Sequence, residues 1–213
     1  LAALAAALLS IILWAVLAWR FGIPTSESHA LVAGLTGAAM AVSSLEAVSL
    51  SAWGMVLAGL LVSTLFGFGL GFISVRLLER VCRGLSRRPA SRFFSAAQIA
   101  AGAGTAFLHG AQDGQKFMGV CVLGLMLVGG QTPGPDTAIP AGVVVVCSLV
   151  MALGTSAGGG RIIKAVGMDM VRLEKHQGFA ADLAASACLL LCTLAGTPVS
   201  TTHTKTAAVM GVG

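Results

Sequence analysis

Four stretches of this chain, residues 1–19, 47–75, 93–109 and 137–160, carry no Asp, Glu, Lys or Arg, and a fifth runs uncharged from Leu183 up to Lys205. A run of about 20 apolar residues is long enough to cross the hydrocarbon core of a bilayer as a helix. Inside that core the backbone must satisfy its own hydrogen bonds, so only helices or closed barrels span it. No strand signal is present. The composition agrees, with 56% hydrophobic residues, 10% charged residues and a mean hydropathy of +0.92. The expectation is an all-α integral membrane protein, multi-pass in the cell membrane, with the lipid bilayer around it.

A net charge of +5 invites a nucleic-acid reading, but the basic residues argue against it. Arg76, Arg80, Arg83, Arg87, Arg88 and Arg92 sit between apolar runs with Glu79 alone among them. Such a cluster marks a cytoplasmic loop. Residues 161–182 mix both signs and leave their side of the membrane open. The cysteines Cys82, Cys121, Cys147, Cys188 and Cys192 form no C-x-x-C pair and read as free thiols inside the protein. Residues 1–19 lack the basic start of a signal peptide.

A repeat organises the chain. Gly22-Ile23-Pro24-Thr25-Ser26-Glu27-Ser28-His29 returns as Gly196-Thr197-Pro198-Val199-Ser200-Thr201-Thr202-His203, at an offset of 203 − 29 = 174 residues. Ala33 aligns with Ala207 and Gly37 with Gly211. In each copy proline ends the preceding helix, and Ser or Thr stands where a new helix needs a capping oxygen. The helix after Ser26 stays apolar for about 15 residues, short of the roughly 20 of a full span. Broken helices at corresponding places in two halves point to the substrate site of a secondary transporter.

Read in order, residues 1–19 form a membrane helix anchored by Trp14, Trp19 and Arg20. A polar turn at 43–46 precedes a long helix over 47–78, where Gly67 and Gly71 allow close helix contact. Residues 93–108, small and carrying Gln98, form a short helix packed inside the protein. It reaches a glycine-bounded polar break at 109–116, after which 117–130 is apolar again. Pro133, Pro135 and Pro140 make a turn before a span over 141–154, and a polar loop opens at 154–160. The last membrane helix covers 183–194, with Asp182 at its N-terminal end, where a carboxylate suits the helix dipole.

Gln112, Asp113, Gln115 and Lys116 are costly at membrane depth and are therefore candidate functional groups. Asp113 can coordinate a sodium ion or take up a proton; the alternative is an interfacial turn in which it pairs with Lys116. The hydroxyls of Ser26, Ser28, Ser200, Thr201 and Thr202, with the N–H groups at the half-helix starts, make a neutral cradle for an oxyanion. Neutral donors hold an anion less tightly than an arginine fork, which suits a site that must release its cargo. His29, His109 and His203 could suggest zinc, but carboxylate partners at ligand spacing are missing. Their better role is to hydrogen-bond backbone freed at the breaks. Gly154-Thr155-Ser156-Ala157-Gly158 fits the spacing of a nucleophile elbow without the strand that motif needs.

With these motifs in place, the chain resembles the inorganic phosphate transporter (PiT) family over essentially its whole length. The resemblance rests on both Pro-x-Ser-x-Ser/Thr-His motifs, on Gln98 with His109-Gly110-Ala111-Gln112-Asp113-Gly114-Gln115-Lys116, on 154–167 with Arg161-Ile162-Ile163-Lys164, and on Gly178-Phe179-Ala180-Ala181-Asp182. The commoner family form has Asn-Asp at Gln112-Asp113 and Glu at Asp182, which bears on cation selectivity. The resemblance implies an inverted-repeat secondary transporter with broken or re-entrant half-helices, moving phosphate with Na⁺ or H⁺ by alternating access. It assigns cation coupling to Gln112 and Asp113. Phosphate binding goes to Ser26, Ser28, Gln112, Gln115, Lys116, Ser200, Thr201 and Thr202. No cofactor is implied beyond the coupling ion, and no metal beyond Na⁺ at Asp113.

The competing expectations are a carrier of another tetrahedral oxyanion such as sulfate, a membrane serine hydrolase built on Ser156, and a channel lined by the polar breaks. The repeat divides the chain into the end of a first repeat (1–78), a basic loop (79–92) and a second repeat (93–213). The same offset puts the partner of the central break about 65 residues before Leu1. A longer gene product is therefore expected, or else a homodimer in which a second chain completes the site.

Overall fold

The computed structural model describes residues 1–84, 86–131, 134, 137–166, 171–197 and 199–213. In chain order come α1 (Ala2–Phe21), α2 (Glu27–Ser43), a 3₁₀ turn (Ser44–Ala47), α3 (Leu50–Val81), α4 (Arg87–Val128), α5 (Ala141–Lys164), α6 (Lys175–Leu194) and α7 (Thr201–Val212). No strand occurs among the described residues. Helices α1, α3, α5 and α6 are long and apolar enough to cross a membrane. At 1.5 Å per residue, α2 with 17 residues reaches only about 26 Å, against a core of about 30 Å. It is the expected half-helix, and α7 restarts the chain as a helix after the second break.

Both breaks are made the same way. Gly22 (φ 69°) and Gly196 (φ 64°) adopt the left-handed conformation that costs glycine nothing. Gly22 N–H donates to Trp19 O at 3.1 Å and Ile23 N–H to Ala18 O at 2.9 Å. At the offset of 174, Gly196 N–H donates to Thr193 O at 3.1 Å and Thr197 N–H to Cys192 O at 2.9 Å. This paired pattern satisfies the last carbonyls of a helix before the chain turns away. Pro198 lies outside the described residues, as do Pro133, Pro135 and Gly167.

The described chain forms two compact units. The first comprises residues 1–50 and 110–162, the second 51–109 and 163–213, so α4 contributes to both.

In the first unit α2 folds back along α1. Ala7, Ile11 and Ala18 are the buried positions of α1, and Gly34 of α2 sits on the first two. A Cβ there would meet Ile11 Cγ1 at 3.0 Å and Ala7 O at 3.2 Å. The end of α1 is tied to α5: Trp19 Nε1 donates to Gly158 O at 2.9 Å, and the Arg161 guanidinium lies 4.6 Å from the Trp19 ring centroid. Trp19 thus joins α1 to α5.

In the second unit a stripe of small residues governs packing. The buried positions of α3 are Gly59, Ser63, Gly67, Gly71 and Val75, one every four residues. A Cβ on Gly67 would stand 2.8 Å from Thr204 O, and one on Gly71 2.5 Å from Ala208 O. The expected close contact is therefore made, and its partner is α7, which answers with Gly211 against Phe68. Helix α6 adds Ala180, Ala181, Ala184 and Ala185, all buried, against Val75, Val209, Val212 and Ala208. Without a hydrophobic drive between helices in lipid, such backbone proximity is the main source of association.

Three expectations are corrected. The polar stretch at 109–116 is no break, because α4 runs through it as one helix of 42 residues. No proline occurs between Ala90 and Gln131, so nothing interrupts the hydrogen-bond ladder. Glycines such as Gly110 and Gly114 cost only about 1 kcal/mol each relative to alanine. The glycine-rich 154–160 is likewise helical, since α5 continues to Lys164. Helix α6 starts at Lys175 rather than 183, so Asp182 lies inside it and not at its N-terminus. A capping box starts it, with Glu174 and Gln177 exchanging side-chain and backbone hydrogen bonds.

Candidate functional site

In the first unit the start of α2 meets the middle of α4. Ser26 is the N-cap of α2 and its Oγ accepts the His29 N–H at 3.3 Å. From α4, Lys116 Nζ donates to Ser28 Oγ at 2.6 Å and to Asp113 Oδ1 at 2.9 Å. Asp113 and Gln112 are 5% and 8% exposed, so the pair is no surface bridge. The Asp113–Lys116 pairing weighed from the sequence does form, within a continuous helix rather than a turn. Gln115, one residue from Lys116, is exposed.

Sequence reasoning missed Glu27. It occupies the first position of α2, about half-buried, and is close enough to Asp113 for the two charges to repel. Its position lies inside the repeated motif, but at the offset of 174 it faces Thr201, so a search for shared chemistry passed over it.

In the second unit Ser200 caps α7 as Ser26 caps α2. Its Oγ accepts the His203 N–H at 3.2 Å and lies 2.9 Å from His203 Nδ1. The neighbouring Thr201 Oγ1 is 3.4 Å from His109 Nε2. Ser200 and Thr201 are buried, and Thr202 is half-buried. The His203 ring thus lies against the Ser200 hydroxyl and the His109 ring against that of Thr201. The first turn of each half-helix also presents N–H groups that no carbonyl of its own helix can take.

A second polar group crosses from α4 through α6 to α7. Thr105 Oγ1 contacts Ala101 O at 3.0 Å, Asp182 O at 3.1 Å and Ser186 Oγ at 2.8 Å. Asp182 pairs with Lys205 of α7. Nothing in the repeat signals it, because Lys205 aligns with Leu31. Among the described residues, no three His, Cys, Asp or Glu side chains gather as metal ligands. Ser156 lies within α5, its Oγ donating to Ala152 O at 2.8 Å. That leaves it in a helix interior, unlike the strand-to-helix turn a nucleophile elbow requires.

Helices of membrane-crossing length, with two helix restarts capped in the same way, define an all-α multi-pass membrane protein. The chain belongs to the phosphate transporter family, whose pattern it matches over residues 1–89 and 83–213. It is 34% identical over 208 residues to the probable low-affinity inorganic phosphate transporter of Bacillus subtilis (strain 168), covering 98% of this chain and 62% of that protein. The similarly described protein of Mycobacterium bovis is 36% identical over 203 residues, covering 95% and 48% respectively. The chain thus spans roughly half to three-fifths of the length of these relatives. The fold is that of a solved structure, a sodium-dependent phosphate transporter, with a TM-score of 0.86 over 99% of this chain and 69% of that one, at 20% identity. The family is one of transporters, not enzymes.

Proposed function

We propose that the protein of which this chain is part carries inorganic phosphate across the cell membrane, coupled to Na⁺ or H⁺, by alternating access. The observation behind this reading is the duplicated half-helix start. Each unit brings one copy of a capped helix N-terminus with hydroxyls beside it, Ser26 and Ser28 in one, Ser200, Thr201 and Thr202 in the other. Helix N-termini offer N–H groups and a partial positive charge to an anion. Gln112, Gln115 and Lys116 would add donors from α4. Family membership favours phosphate and lends no support to sulfate.

Coupling falls to Asp113, whose buried carboxylate suits a monovalent cation or a proton, with the Gln112 side-chain oxygen as a second ligand. Cation binding neutralises charge that would repel phosphate, which makes simultaneous binding of the two favourable. The test is phosphate uptake by proteoliposomes of the full-length transporter, with Na⁺ replaced by choline at constant pH. Loss of accumulation would identify Na⁺, and unchanged accumulation that collapses with the proton gradient would identify H⁺. Equilibration without accumulation under either gradient would refute coupled transport.

A further inference from the structure

Lys116 links two elements of the first unit through a single ammonium group. Its Nζ donates to Asp113 Oδ1 within α4 and to Ser28 Oγ in the first turn of α2. A buried carboxylate is unfavourable without a positive partner, and here the partner is tethered one helical turn away on the same chain. The side chain of Asp113 is 7% exposed and that of Lys116 22%, so little water competes for the contact. Both acceptors holding the ammonium are oxygens, the ligand type that hard cations take. A free sodium ion and the lysine therefore compete for the Asp113 carboxylate, while Ser28 holds the lysine in place.

We propose that Lys116 is a built-in counter-cation of Asp113, which an incoming sodium ion displaces and whose released ammonium then turns to phosphate. This rests on the coupled-transport reading given above and supplies its order of events. Before the cation binds, Lys116 is engaged by Asp113 and Ser28, so neither the ammonium nor that hydroxyl is available to an anion. Glu27 at the start of α2 adds a second acidic group near Asp113. One bound cation offsets the Asp113 charge, releases Lys116, and exposes two donors to phosphate. The coupling arises because one cation changes both the charge and the donor supply.

The test is equilibrium binding of radiolabelled sodium to the purified full-length transporter in detergent, without phosphate, so that no transport is needed. Lys116→Met removes the competitor and should bind sodium about tenfold more tightly, the factor that loss of one charge-assisted hydrogen bond carries. Lys116→Arg keeps a competing charge and should bind no more tightly than wild type. Ser28→Ala removes one of the two anchors and should tighten binding severalfold, which keeps the test decisive if Lys116→Met does not fold. In saturating sodium, Lys116→Met should also bind labelled phosphate more weakly than wild type. Unchanged or weakened sodium affinity in both Lys116→Met and Ser28→Ala would overturn the proposal. Sodium binding by none of these proteins would overturn it too, while leaving phosphate transport to be judged by its own uptake assay.

Discussion

The contact between α3 and α7 is tight enough to predict the effect of a single methyl group. A Cβ placed on Gly71 would stand 2.5 Å from Ala208 O, where ordinary contact begins at 3.4 Å. The two backbones would have to part by about 3.4 − 2.5 = 0.9 Å, and neither side is a flexible side-chain tip. Overpacking of this kind costs about 1–3 kcal/mol. Gly69, two residues away, has nothing within 4 Å of such a Cβ, so alanine there should be neutral or gain up to about 1 kcal/mol of helix propensity. At about 2–4 °C per kcal/mol for a chain of this size, Gly71→Ala should melt several degrees below wild type in detergent, and Gly69→Ala at or slightly above it. Because α7 carries Ser200 and Thr201 at its start, Gly71→Ala should also weaken phosphate binding. Equal melting temperatures for the two variants would show that α3 and α7 are not in backbone contact.

Other substitutions separate the roles of the polar groups. Asp113→Asn should abolish concentrative phosphate uptake while preserving side-chain shape, and retained gradient-driven accumulation would remove Asp113 from coupling. Ser200→Ala and Thr201→Ala should each weaken apparent phosphate affinity about tenfold in uptake assays, the cost of one hydrogen bond to a charged ligand; wild-type affinity in both would make these hydroxyls caps only. Lys205→Met strands the buried Asp182 and should destabilise the protein by about 2 kcal/mol in thermal unfolding, with Asp182→Asn in the same chain restoring much of the loss. Ser156→Ala should leave uptake unchanged, and a covalent adduct at Ser156 in the wild type would revive a hydrolase.

Where the sequence was read correctly, a residue type had one physical use. Gly22 and Pro24 followed by Ser26 can only end one helix and cap another, so the helix break and its duplication are legible in the sequence. Gly67 and Gly71 were legible as a contact face, though not the partner that fills it. The reading failed where a residue type has two uses. Gly110 and Gly114 beside Gln112 and Asp113 look like a break, yet without proline the ladder continues and the polar groups are met by helices packed against α4. The charges between Arg161 and Asp182 suggested a long loop. The Glu174–Gln177 capping box instead starts α6 early enough to bury Asp182 against Lys205. That pair and the Glu27–Asp113 proximity join residues far apart in sequence, and neither has an equivalent in the other copy of the repeat, so periodicity could not reveal them.

The central claim is that the duplicated half-helix starts serve a coupled phosphate carrier. The most direct measurement is accumulation of labelled phosphate by proteoliposomes of the full-length transporter under an imposed Na⁺ or H⁺ gradient, with unlabelled phosphate or sulfate as competitor. The account predicts accumulation above the external concentration, inhibited by phosphate far more than by sulfate. Flux that only equilibrates, or that sulfate inhibits as strongly as phosphate does, would contradict it.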